Sequence, residues 1–124
     1  MKRSAFLVLL LVVLFFTYYG CRPQTVGDTF AKYMEEEFDH RVSGTYWVID
    51  LNGCGSCNES LLASLEADSV QVDSTKLVLT GKAKQISYYS EKLQRYQIFA
   101  DPDRKIHDVM REIKSFKLPV KIEY

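Results

Sequence analysis

The sequence predicts an α/β fold, a mostly parallel sheet with helices on both faces. Three observations predict it. Four short runs have strand length and strand composition: "TYWVIDL" at 45–51, "KLVLTG" at 76–81, "QIFAD" at 97–101 and "LPVKIEY" at 118–124, rich in β-branched and aromatic residues. The stretches before and between them repeat apolar residues every three or four positions, as on one face of a helix. Ser43, Gly44, Gly81 and Pro119 stand at the junctions, where small or ring-locked residues break regular structure. The resulting order is αβαβαβαβ, with no internal repeat or low-complexity segment.

The first helix of the domain is expected over 29–41. Phe30, Met34 and Phe38 recur every four residues with Tyr33 beside them, Asp28 or Thr29 can cap the start, and Ser43 and Gly44 end it. Its acidic run, Glu35 to Glu37, reads as a solvated face. After the strand at 45–51, Asn52 to Ser56 turn the chain, and Leu61, Leu62 and Leu65 mark a helix over about 56–67. Gly81 stops the next strand, and Ile86, Tyr89, Leu93 and Tyr96 then fall at helical spacing. "DPDRKIHDVMREIKSF" carries the clearest helix signal in the chain. Asp101 is placed to cap, Pro102 fits the first turn, and Ile106, Val109, Met110, Ile113 and Phe116 form one stripe.

The 124 residues hold one domain. Apolar residues at 47 % and aromatics at 13 % place the chain among globular rather than disordered proteins. The formal net charge is zero, and without Lys2 and Arg3 the balance is 14 basic against 16 acidic residues. That balance argues against nucleic acid as a partner, because phosphate binding needs clustered positive charge.

"MKRSAFLVLLLVVLFFTYYGC" has a basic start, an apolar run from Ala5 to Phe16 and then Thr17 to Gly20 before Cys21. This is the layout of a bacterial secretory signal. The run is short of the roughly 20 apolar residues that cross a bilayer, so a spanning anchor is the lesser reading. Gly20 before Cys21 resembles the lipoprotein box, in which the cysteine is lipidated and becomes the mature first residue; Tyr18 and Tyr19 depart from its usual Leu and small residue. The expected organisation is a signal peptide over 1–20, a tether over 21–28 and a domain over 29–124. Lipid on Cys21 would hold that domain at a membrane of the bacterial envelope, facing the periplasm or exterior. It would also leave Cys54 and Cys57 as an even pair where disulfides persist.

The two cysteines are separated by Gly55 and Ser56, after a strand and before a helix. A thiol attacks only as thiolate, and a helix N-terminus favours the negative charge. Cys54, at the junction, is the candidate nucleophile, and Cys57, one turn into the helix, the candidate resolving thiol. Two other readings stay open. A structural disulfide closing so small a loop removes little unfolded-state entropy. A zinc site normally needs four ligands, and only His40 and His107 could join the pair.

"YWVIDLNGCGSC" followed by a helix resembles the strand, active-site turn and helix of thioredoxin-like proteins. "QIFADPDRKIHDVMREIKSFKLP" resembles the strand, aspartate turn, helix and proline of membrane-tethered members of that family. The resemblance covers about residues 44–124 and implies a three-layer thioredoxin-like fold that catalyses thiol–disulfide exchange with exported proteins, with no cofactor and no metal. It further implies a cis-proline at Pro119 and substrate backbone held beside Leu118 and Pro119 as an added strand; a trans proline opening an edge strand is the alternative. Many thioredoxins carry a buried acid six residues before the first cysteine, where this chain has Val48. Asp50, on the same strand face as Val48, is a candidate substitute proton acceptor or else a strand-end aspartate facing solvent. The Trp and Pro common around thioredoxin cysteines are missing, as are the final strand and helix of the family's fold. An incomplete sheet would expose an edge to a second copy or another partner. The alternative function is a degenerate thioredoxin-fold lipoprotein that binds a protein partner and keeps the cysteines as a structural disulfide.

Overall fold

The computed structural model describes residues 2–20, 25–53, 55–67 and 74–124, with the side chains of residues 17–20 and 57 left aside. Cys21 and Cys54, expected as lipidation site and nucleophile, lie outside the described residues, as does the first half of the expected tether.

The described elements are α1 (Lys2–Gly20), α2 (Val26–Phe38), β1 (Thr45–Asp50), α3 (Gly55–Ala67), β2 (Thr75–Thr80), α4 (Ala83–Lys92), β3 (Gln97–Asp101), α5 (Lys105–Val109) and β4 (Val120–Glu123). The chain is thus mixed α/β. The four strands form one sheet in the order β3-β2-β1-β4. β1 runs parallel to β2, β2 parallel to β3, and β4 antiparallel to β1.

Strand alternation divides the core into two layers. Tyr46, Val48, Val78 and Ile122 face α2 and α5, where Phe30, Tyr33, Met34, Ile106 and Met110 are buried with them. Ile49, Leu77 and Leu79 face the other way and pack with Leu62 and Leu65 of α3 and Ile86 of α4. On that second face the cover thins out toward β4. Trp47 is only half-buried and borders a cleft of about 220 Å³ with Leu61, Leu65, Tyr96 and Lys121.

α1 spans the apolar N-terminal segment, and its side chains from Lys2 to Phe16 are exposed. Among the described residues no helix is long and apolar enough to cross a membrane.

Two helices differ from expectation. α2 begins and ends three residues before the predicted 29–41 span, so residues 26–28 belong to the helix and not to a tether. Thr25 caps it, its hydroxyl accepting the Asp28 N–H at 3.1 Å. The chain leaves α2 through Asp39 in the left-handed region, φ 47°, a conformation that aspartate tolerates better than most residues, so the helix stops well before Ser43 and Gly44. α5 is five residues long, far less than its apolar stripe predicts. Arg104, left-handed at φ 55°, sets its start. Beyond Val109 the chain winds through i to i+3 bonds, Ile113 N–H to the Met110 carbonyl and Phe116 N–H to the Ile113 carbonyl. This tighter winding still lays Ile113 and Phe116 against the α2 side of the core. The stripe's burial is achieved without a continuous helix.

α4 stops at Lys92, while Leu93 and Tyr96 remain buried through the turn that follows. The four strands match their predicted runs to within two residues. The Leu118–Pro119 bond that leads into β4 is cis.

Candidate functional site: the turn between β1 and α3

The site starts from Asp50, the last residue of β1. The adjoining backbone is pinned on both sides. Leu51 N–H donates to the Thr80 carbonyl at 2.8 Å, carrying the β1·β2 pairing one residue past the strand, and Gly53 N–H folds back onto the Asp50 carbonyl at 3.1 Å. The same carbonyl accepts the side-chain amide of Asn58, a residue only 5 % exposed. Gly81 lies against this turn with φ +140°, where an added β-carbon would stand 3.2 Å from both Asn52 Oδ1 and Leu51 Cβ. α3 opens at Gly55, immediately after Cys54, so Cys57 belongs to its first turn. Asn58, the next residue, ties that turn back to β1.

The Asp50 side chain is held as closely. The residue is 8 % exposed. Oδ1 accepts the Asn52 N–H at 2.9 Å. Oδ2 lies 3.0 Å from Arg104 Nη2 and 3.1 Å from His107 Nε2, and those two nitrogens are 3.3 Å apart. His107 Nε2 thus faces an acceptor in the carboxylate and a donor in the guanidinium, and can hydrogen-bond only one of them at a time.

Arg104 and His107 are themselves positioned by Asp101. Its carboxylate oxygens accept Lys105 N–H and Ile106 N–H, each at 3.0 Å, closing the first turn of α5. Asp101 also borders the Tyr33 hydroxyl. Burial first, and the negative charge of Asp101 second, push that phenol far above its usual 10. The result is a path of polar contacts from the end of β3, through α5, to the backbone on which the cysteine turn is built.

The strand face of Asp50 is the one that alternation predicted, shared with Val48 and turned toward α5. The solvent-facing alternative is overturned, because α5 and the loop before it cover the carboxylate. His107, one of the two histidines of the zinc alternative, has Nε2 beside Asp50 and Arg104. Among the described residues no three His, Cys, Asp or Glu side chains gather to hold a metal ion.

β4 brings the second predicted region to the same end of the sheet. Val48 is paired with Val120, so Leu118 and Pro119, the two residues before Val120, enter β4 at the C-terminal half of β1. The Leu118 side chain is partly buried against the α2 side of the core.

Arg104 and Asn58 escaped the sequence reading. Nothing in the pattern marks Arg104 as left-handed, and its carboxylate partner is 54 residues away. Asn58 had one usable signal: an amide at the start of a helix, directly after a cysteine and three residues before the apolar stripe at Leu61.

No family model matches the chain. Neither a curated protein nor a solved structure matches it.

Proposed function

We propose that the chain is a membrane-tethered thiol–disulfide oxidoreductase of the bacterial envelope, built on a thioredoxin-like fold. The observation that carries the reading is the junction at 50–57: a buried strand ends at Asp50, a pinned turn follows, and α3 begins at the residue after Cys54. Unpaired N–H groups and the dipole at a helix start favour a thiolate there. The strand order, with an antiparallel β4 opened by Pro119 beside β1, supports the same architecture.

In this reading the Cys54 thiolate attacks one sulfur of a substrate disulfide, forming a mixed disulfide and releasing the other sulfur as a thiolate. Cys57 then attacks Cys54, frees the second substrate thiol and leaves the pair oxidised, so that two electrons pass to the substrate. The reverse sequence oxidises a substrate dithiol. Asp50 is the proton acceptor for the resolving thiol, and Leu118 and Pro119 border the substrate segment. The chemistry needs no cofactor and no metal. Residues 1–20 serve as the leader, lipid on Cys21 attaches the domain, and exported proteins supply the disulfides.

The test is a redox titration of the Cys21→Ser chain in detergent, against glutathione and dithiothreitol buffers, with thiols counted by alkylation and Cys54→Ser as control. A reversible midpoint between about −120 and −270 mV supports exchange catalysis. A pair still oxidised beyond about −300 mV makes it a structural bond, and the chain a binding module.

A further inference from the structure

β4 has β1 on one side and, among the described residues, no strand on the other. Its pairing with β1 fixes what the outer edge presents. Tyr124 N–H donates to the Gly44 carbonyl at 2.9 Å. Backbone direction alternates along a strand, so residues 120, 122 and 124 turn their N–H and C=O groups toward β1. Lys121 and Glu123 therefore turn theirs outward, two donors and two acceptors with no strand to meet them.

The side chains alternate in step. Ile122 and Val120 face the α2 side of the core, and Tyr124 joins them with its ring near Phe30 and Tyr46. Lys121 and Glu123 face the other way, side by side, with Nζ 2.8 Å from Oε1 and side chains 47 % and 64 % exposed. A positive and a negative residue thus flank one apolar residue on a short open edge.

We propose that this edge is the interface of a homodimer, in which β4 pairs antiparallel with β4 of a second copy about a two-fold axis beside Ile122. A two-fold at Ile122 sets Lys121 opposite Glu123 of the second copy, twice. Those are the residues whose backbone faces outward, so each pair exchanges two hydrogen bonds and the edge is satisfied by four. Ile122 meets its own copy, and Val120 meets Tyr124 of the second copy on the apolar face. The competing registers are worse. Moving the axis to Lys121 or Glu123 sets like charges directly opposite, which is destabilising. A one-residue slip turns every side chain to the wrong face. The charge pattern and the hydrogen-bond pattern therefore select the same register, and a second copy of this chain is the occupant that supplies both.

The test is sedimentation equilibrium of the full chain in density-matched detergent under reducing conditions, with helical content checked by circular dichroism for every variant. The native chain is expected to shift from monomer to twice the monomer mass with rising concentration. Lys121→Glu and Glu123→Lys, each of which sets like charges across the axis, are expected to stay monomeric, and the double exchange K121E/E123K to recover the dimer. A native chain that stays monomeric at every concentration overturns the proposal. So does a dimer that survives both single exchanges, since the contact would then lie on another surface such as α1. Both residues are exposed on the strand, so the variants keep the core intact.

Discussion

The Asp50 carboxylate lies 3.1 Å from His107 Nε2, joining the last residue of β1 to α5 beside the turn that leads to the cysteines. Arg104 shares the same oxygen, while the Asp50 backbone holds the turn itself. One residue thus carries both the charge contact and the backbone anchor. Asp50→Ala is expected to lower stability by about 2–3 kcal/mol, between the cost of an exposed pair and that of removing one partner from a buried one, since Arg104 is about half exposed. Asp50→Asn, which keeps an oxygen for the Asn52 N–H, is expected to lose less. Urea unfolding midpoints at constant slope measure both.

Arg104 gives a sharper comparison, because two substitutions remove the same ion pair but differ in backbone freedom. At φ 55° a residue with a β-carbon carries a left-handed penalty of about 1 kcal/mol that glycine avoids. Arg104→Gly is therefore expected to unfold at higher denaturant than Arg104→Ala, against the ordinary ranking of the two residues. Equal midpoints would mean that the left-handed geometry is not what the chain adopts in solution.

Gly81 is expected to tolerate no side chain. At φ +140°, with Asn52 and Leu51 in the path of a β-carbon, Gly81→Ala combines backbone strain of about 1–3 kcal/mol with displacement of the cysteine turn. Lost stability should be accompanied by a changed rate of Cys54 alkylation in the chain that remains folded. A variant with native stability and native thiol reactivity would show that the turn does not lean on this glycine.

Alkaline pH should destabilise the domain through its tyrosines. Burial raises the Tyr124 phenol to about 12, with the Tyr46 and Asp28 charges adding to it. Burial also raises Tyr33 and Tyr46 above their usual 10. All three are held neutral in the fold while the unfolded chain ionises near 10, so the folded state binds more protons. Their contribution is complete below pH 10 and is lost as pH rises through the folded values. Unfolding between about pH 10 and 12, coincident with tyrosinate absorbance, is the expected outcome. Tyr124→Phe removes one of these ionisations together with the hydroxyl donated to the Gly27 carbonyl at 2.6 Å.

The strands were legible because their signal is local: β-branched residues in short runs, opened after Gly44 or stopped at Gly81, require no knowledge of the rest of the chain. The faces were legible too, since a period of two sent Val48 and Asp50 to one layer and Ile49 to the other. α5 was not. Its apolar spacing is helical to Phe116, yet Arg104 delays the start and turns deliver Ile113 and Phe116 to the same core surface. A stripe records which residues are buried, and more than one backbone path can bury them. The partners of Asp50 were invisible for a different reason. Ion pairs between residues 54 and 57 positions apart leave no periodic trace, and the spacing of Cys54 and Cys57 points at the turn but not at what fastens it.

The fastening of that turn has a spectroscopic consequence. The amides of Asn52 and Gly53 lie in an exposed loop, where protons would ordinarily trade with solvent at open-chain rates, yet one is bound by the Asp50 carboxylate and the other by its carbonyl. They should exchange slowly, as strand amides do. Slowed exchange at two loop positions would make the turn its own reporter, so the state of the anchor could be followed by deuterium uptake without labelling either cysteine.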